Sequence, residues 1–209
     1  MATSTGFTDA TEHWNRRFEV EAYLFGTEPN VWLREHASVW QPGQRVLSIA
    51  DGEGRNSVWL AQQGLVVDAF DISRVAVEKA RKLAAARGVD VNFAVSDVDG
   101  YAWPEGVYDG VAAVFVQFAH PAMRARLFDR IKRALKPGGF LVLQGYTPRQ
   151  LEYKTGGPPH AENMYTQALL REAFADIDIV ELREYEAEVD EGTGHHGHSA
   201  LIGMVGKKR

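Results

Sequence analysis

Gly52-Glu53-Gly54 and Asp71 are the residues whose types and spacing most clearly suit chemistry. Two glycines one residue apart let a backbone turn come close to a ligand, because no side chain obstructs the N–H groups. A carboxylate 17 residues beyond Gly54 can accept both hydroxyls of a ribose if it ends the next strand. A dinucleotide turn would carry Gly or Ala where Ser57 stands, and the acidic Glu53 sits poorly beside a pyrophosphate. The combination favours an adenosine bearing an amino-acid tail, with NAD the lesser fit. Taken alone, the glycines also suit a plain strand-to-helix turn, and Asp71 suits a helix cap in competition with Ser73.

For these residues to meet, a strand must precede the turn and a helix must follow it. Residues 45–50 (RVLSIA) read as a buried strand and 57–63 as a helix stopped by Gly64, with Gly52, Gly54 and Asn56 punctuating the turn between them. The alternation then repeats: a strand at 66–70, a helix at 74–87 ended by Gly88, and strands at 91–95 and 110–116. An amphipathic helix at 123–135 follows, then Lys136-Pro137-Gly138-Gly139 as a turn, then a strand at 140–144. This order predicts an α/β fold, a Rossmann-like doubly wound sheet. Beyond a short helix at 167–174, two strand-like runs at 177–189 and 198–205 flank the turn-rich connector 190–197. They predict a C-terminal hairpin and one antiparallel strand in a mostly parallel sheet. Helices at 10–21 and 27–40 make residues 1–42 an N-terminal helical extension, ahead of a core at 43–209 in a single domain.

The chain has 209 residues, 45% hydrophobic and 24% charged, enough for one sizeable core. A net charge of −5 argues against a nucleic-acid partner, since counterion release needs a basic surface. With no cysteine, disulfides, thiolate metal ligands and Cys nucleophiles are excluded. No apolar run reaches the roughly 18 residues of a membrane span, and the N-terminus lacks the basic and apolar regions of a secretory signal. The expectation is a cytoplasmic protein, monomeric or homodimeric, with a small-molecule substrate and no membrane partner.

The ordered runs VLSIADGEGRNSVWLA, VDAFDIS, SDVDGYAWPEGVYDGV and LKPGGFLVL resemble the successive motifs of class I S-adenosylmethionine-dependent methyltransferases. The N-terminal run WNRRFEVEAYLFGTEPNVWL resembles the opening segment of the tellurite-resistance and thiopurine methyltransferase group. The resemblance implies S-adenosylmethionine as cofactor, with a thiol, metalloid or related detoxification substrate as methyl acceptor. It places Ala50, Gly52 and Gly54 under the methionine moiety, with Asn56 completing the turn. Asp71 falls at the ribose, Ile72 and Ser73 beside the adenine, and Asp97 and Val98 flank the adenine amino group. Val116, Gln117 and Phe118 face the reactive methyl. Ser48 and Ala50 stand where the family often has Asp and Gly, and Asp51 replaces a frequent Cys. Asp51 is therefore expected to bind the methionine ammonium, compensating for Ser48.

Trp14 and Phe18, four residues apart, share one helix face. With Tyr23 and Phe25 they either pack in the core or, as the resemblance implies, form a lid over the cofactor, with Arg17 meeting its carboxylate. His120, just beyond Gln117, is the expected source of general-base or polar help at the acceptor, with Gln117 beside it. His195, His196 and His198 read as exposed loop histidines that hold no metal, a substrate-side role being open to one of them. Two other functions fit the same turn: an NAD(P)-dependent oxidoreductase and a non-catalytic S-adenosylmethionine-binding module.

Overall fold

The computed structural model describes residues 5–209. Seven strands form one sheet in the order β3-β2-β1-β4-β5-β7-β6. The strands are β1 (Arg45–Ile49), β2 (Val66–Asp71), β3 (Asn92–Val95), β4 (Tyr108–Val114), β5 (Leu135–Tyr146), β6 (Ile177–Glu191) and β7 (His195–Lys208). Those from β1 to β5 pair in parallel, with Ile49 beside Phe70 and Ser48 beside Ala112. Strand β7 runs antiparallel to both β5 and β6. The sheet is thus Rossmann-like with one reversed strand, as the alternation of elements implied.

Helices cover both faces because the central strands are apolar on both sides. One core joins Leu47, Val111, Leu141 and Met204 to Leu127, Phe128 and Ile131 of α5 (Pro121–Ala134) and to Leu170 of α7 (Gln167–Ala173). On the other face Val46, Val67, Val142 and Val205 meet Leu60 of α3 (Arg55–Gln62), Trp32 and Leu33 of α2 (Val31–His36), and Trp40. Gly203 makes that packing possible, since a Cβ there would lie 2.4–2.5 Å from the Trp32 indole. Helix α4 (Arg74–Arg87) is capped by Ser73 and closed by the left-handed Gly88. The N-terminal segment therefore has two parts. Helix α2 and Trp40 belong to the packed core, while α1 (Thr5–Phe18) and the loop after it lie over α4, α3 and the turn before α3.

The helix expected at 27–40 is α2 followed by a 3-10 turn at Ala37–Val39, and the strand expected at 110–116 is β4 at Tyr108–Val114; three further boundaries differ. Helix α1 ends at Phe18, so 19–21 belong to the following loop. Strand β5 starts at Leu135, and Lys136 to Gly139 extend it, held by the pairing of Leu135 with Tyr108 and by Lys136 on Asp109. Most consequential, β6 and β7 run to Glu191 and from His195, so the connector is only 192–194. The three histidines lie on a strand. Among the described residues, no helix is long and apolar enough to cross a membrane.

Candidate functional site

Strand order reverses between β1 and β4, each of which has its sequence neighbour on the far side. At such a switch point the loops leaving the two strands diverge and open a crevice at their carboxyl ends. Both exits are conformationally special. Ala50 after β1 and Phe115 after β4 adopt left-handed backbone conformations at φ 47° and 54°, which an L side chain takes only under tertiary constraint.

The β1 turn is built from inside. Asp51 is buried, and its carboxylate accepts from the Ser48 hydroxyl at 2.6 Å, the Ser57 amide at 3.2 Å and the Ser57 hydroxyl. Ser48 and Ser57, which depart from the usual pattern, thus serve as donors to Asp51. Burial raises the Asp51 pKa, and the serine hydrogen bonds oppose that rise. Gly52 and Gly54 have positive φ. A Cβ on Gly54 would lie 2.8–2.9 Å from Ala80, so this glycine is required by the contact between α3 and α4. Over Gly52 the nearest group is the Phe18 ring, 3.6 Å from a notional Cβ.

Asp71 ends β2 directly across from the turn. Its two oxygens accept from the amides of Gly52 at 2.9 Å and Ser73 at 2.8 Å. Burial raises its pKa to about 6 against those bonds, with the charges of Asp51 and Glu53 adding to the rise. Three buried carboxylates therefore surround one turn. A diphosphate would add negative charge to this cluster, whereas a sulfonium with an ammonium group would relieve it. This donor set fits an adenosine with an amino-acid tail.

The other expected cofactor residues spread along the same crest. Ile72 is half-buried, and Ser73 caps α4 while donating to Asn15 of α1 at 2.7 Å. Asp97 accepts from the Gly100 amide, fixing the loop after β3. Val98 and Val116 point into the core, so what they offer a ligand is backbone. Asn56 accepts from the Asn30 amide at 2.9 Å.

The segment 14–25 covers the turn. Trp14 stacks on Phe18 at 5.6 Å, Phe18 meets Phe25 edge-on at 6.1 Å, and the Arg17 guanidinium lies 4.8 Å from the Trp14 ring centre. Phe18 is only 2% exposed. Glu53 pins this cover by accepting from the Leu24 amide at 2.7 Å and pairing with Lys79, whose ammonium also reaches the carbonyls of Phe18, Val20 and Ala22. Tyr23 donates back to the Lys79 carbonyl.

The acceptor side departs most from expectation. Gln117 is buried with its carboxamide committed to Tyr146, accepting from its amide at 2.6 Å and donating to its carbonyl at 2.9 Å. It thereby holds the end of β5. His120 is exposed at the start of α5, and its side chain makes no hydrogen bond among the described residues. Where β4 ends, the Phe115 ring instead stacks on Tyr146 at 4.6 Å, and His195 meets Phe115 at 4.5 Å and Phe25 at 4.6 Å. Behind His195, Glu191 pairs with Arg55 at 2.6 Å and accepts from Asn30 at 2.8 Å. The other two histidines have ordinary cross-strand partners, His196 on Asp190 and His198 on Glu186 and Glu188. Sequence reasoning missed the His195 cluster because Gly192-Thr193-Gly194 looked like part of a longer loop. The four-residue spacing of Glu191 and His195 across a tight turn was the available clue.

Residues 46–139 match the methyltransferase domain family. A demethylmenaquinone methyltransferase of Thermus thermophilus is 31% identical over 107 residues, covering 50% of this chain and 48% of the relative. The chain spans about half the length of the curated relatives it matches. A structure solved in work on conversion of a disulfide bond into a thioacetal group during echinomycin biosynthesis superposes with a TM-score of 0.77 at 19% identity, covering 95% of this chain and 92% of the other. A SAM-dependent methyltransferase from Methanosarcina mazei superposes at 0.69 with 20% identity, covering 82% and 95%. At these identities the two structures bear on the fold.

Proposed function

With residues 46–139 as a methyltransferase domain, we infer that the chain transfers the methyl group of S-adenosylmethionine to a small-molecule acceptor. The observation that carries this reading is the buried carboxylate Asp71, bonded to the amide of Gly52 at the switch point beside Asp51 and Glu53. Such a cluster favours a cationic nucleoside over a dinucleotide.

In this reading Asp71 takes the ribose hydroxyls. The turn from Ala50 to Gly54 holds the methionine part, and Asn56 ties that turn to the N-terminal segment. Asp51 acts on cofactor affinity through the shape of the turn it organises. Ile72, Ser73, Asp97 and Val98 border the adenine, while Trp14, Arg17 and Phe18 close over the site and exclude water. The cofactor supplies an electrophilic methyl on a sulfonium, so the protein's work is alignment and desolvation. A thiol or metalloid acceptor suits that economy, because a soft nucleophile needs no activation beyond the loss of its proton. The sulfur chemistry in which the first structural neighbour was studied and the likeness of the N-terminal run to the tellurite-resistance and thiopurine group support the same class.

Thermal unfolding with S-adenosylhomocysteine or NADH tests the cofactor assignment. A ligand at 100 times its Kd stabilises the native state by about 2.7 kcal/mol. Protection by S-adenosylhomocysteine alone is expected, and protection by NADH alone would reverse the reading. Transfer of labelled methyl into small-metabolite rather than protein fractions tests the acceptor class. Binding without any transfer would make the chain a sensor.

A further inference from the structure

Seven buried side-chain polar atoms lack a hydrogen-bond partner among the described residues, and three of them surround one carboxylate. They are Arg55 Nη1, the Tyr146 hydroxyl and His195 Nδ1, all gathered around Glu191; Nδ1 faces that carboxylate, which leaves the Arg55 and Tyr146 atoms for a ligand. Orphaned buried donors are costly unless a ligand satisfies them. Gly156 packs against them, and only a residue without a side chain fits there. A Cβ on Gly156 would lie 2.9 Å from the Tyr146 hydroxyl and 3.5 Å from His195 Cδ2.

The geometry of His195 has a direction. Nδ1 lies 3.6 Å from the Glu191 carboxylate, so that carboxylate favours the tautomer with its proton on Nδ1 and leaves Nε2 as the acceptor. Glu191 is itself fixed by Arg55 and Asn30. Phe25, Phe115 and Tyr146 enclose the ring. We propose that Glu191 and His195 form the proton-accepting pair of the methyl acceptor's site, and that this site takes a neutral thiol, with the Tyr146 hydroxyl and Arg55 beside its sulfur; the proposal rests on the methyl-transfer reading above.

The charges fit a neutral acceptor, because Arg55 and Glu191 cancel and the imidazole is uncharged until it takes a proton. Burial lowers the His195 pKa, Glu191 opposes that, and the cations Arg55 and Arg17 add to it. Burial would also raise Glu191, yet His195 and Arg55 bring it down to about 2, so it stays ionised. In the step, the thiol S–H bond breaks and its proton goes to His195 Nε2. The sulfur forms a bond to the methyl carbon, and the electron pair of the old bond returns to the sulfonium sulfur, leaving a neutral thioether. Imidazolium, stabilised by Glu191, then releases the proton to water.

Two thiols of different acidity test this: 2-mercaptoethanol, protonated near neutral pH, and 4-nitrothiophenol, already a thiolate. His195→Gln should slow methylation of the first by about 100-fold, with recovery at high pH, and leave the second nearly unchanged. Equal loss on both thiols, or methylation of neither by the wild type, overturns the proposal. In the S-adenosylhomocysteine-loaded protein, 2-mercaptoethanol should shift the His195 ring ¹⁵N resonance, and Tyr146→Phe should weaken that effect about tenfold. An unmoved resonance counts against the site. Calorimetry separates the two levels: His195→Gln should bind S-adenosylhomocysteine like the wild type, whereas no binding by either protein sinks the methyl-transfer reading itself.

Discussion

At the scale of single residues, Asp71 carries a pH dependence whose sign follows from its burial. Burial makes its carboxyl ionise less readily in the folded protein, pushing its pKa up to about 6. By itself this group therefore stabilises the unloaded protein below about pH 4, and that contribution is lost as pH rises through about 6. A ligand that donates two hydroxyls prefers the ionised form, so affinity for S-adenosylhomocysteine should rise as pH passes upward through about 6. Calorimetry between pH 5 and 7.5 checks this, and Asp71→Asn should bind weakly with a flat profile. Gly54 makes a different kind of demand. Its positive φ and the approach of Ala80 mean that Gly54→Ala should cost on the order of 3 kcal/mol in chemical denaturation. The spacing of Gly52, Gly54 and Asp71 was legible because each type is needed for a local reason. The orphaned Tyr146 hydroxyl and Arg55 Nη1 were not, since nothing in a Tyr or an Arg announces which of its polar atoms folding will leave without a partner.

Among the elements, the cover over the turn depends on few links. Lys79 belongs to α4 and Glu53 to the turn, yet together they hold backbone atoms of Phe18, Val20, Ala22 and Leu24. Removing one partner of a buried pair leaves the other charge uncompensated, which costs about 3–5 kcal/mol. Lys79→Ala should therefore release this segment. Hydrogen exchange is expected to speed up at Leu24 while the amides of β1 and β4 keep their protection. Loss of protection throughout would mean that the pair supports the whole fold and not the cover. The helices and parallel strands were readable from hydrophobic periodicity, with errors of a few residues at their ends. Alternation and turn-rich composition placed the hairpin but not its register. That register, which puts His195 opposite Glu191, is decided by pairing along β5 and β6.

Considered as a whole molecule, the sheet divides at its switch point into β1 to β3, the proposed nucleoside half, and β4 to β7, the proposed acceptor half. Besides the pairing of β1 with β4, the N-terminal loop and the hairpin link the halves: Gly194 donates to the Leu24 carbonyl at 3.0 Å, and Asn30 links Asn56 to Glu191. Binding in one half should therefore be felt in the other. S-adenosylhomocysteine should slow exchange at Gly194 as well as at Gly52, and protection confined to the turn would show that the halves act independently. The sequence by itself determined the fold class and marked the turn and the acid proposed for the nucleoside, because these follow from local propensity, from periodicity and from residues close in the chain. Only the tertiary structure decided which histidine packs on Phe25 and Phe115, that Gln117 bonds to Tyr146, and that Asp51 is tied down by two serines. Those outcomes depend on which atoms are left unpaired once distant segments pack, and that is a property of the assembled chain.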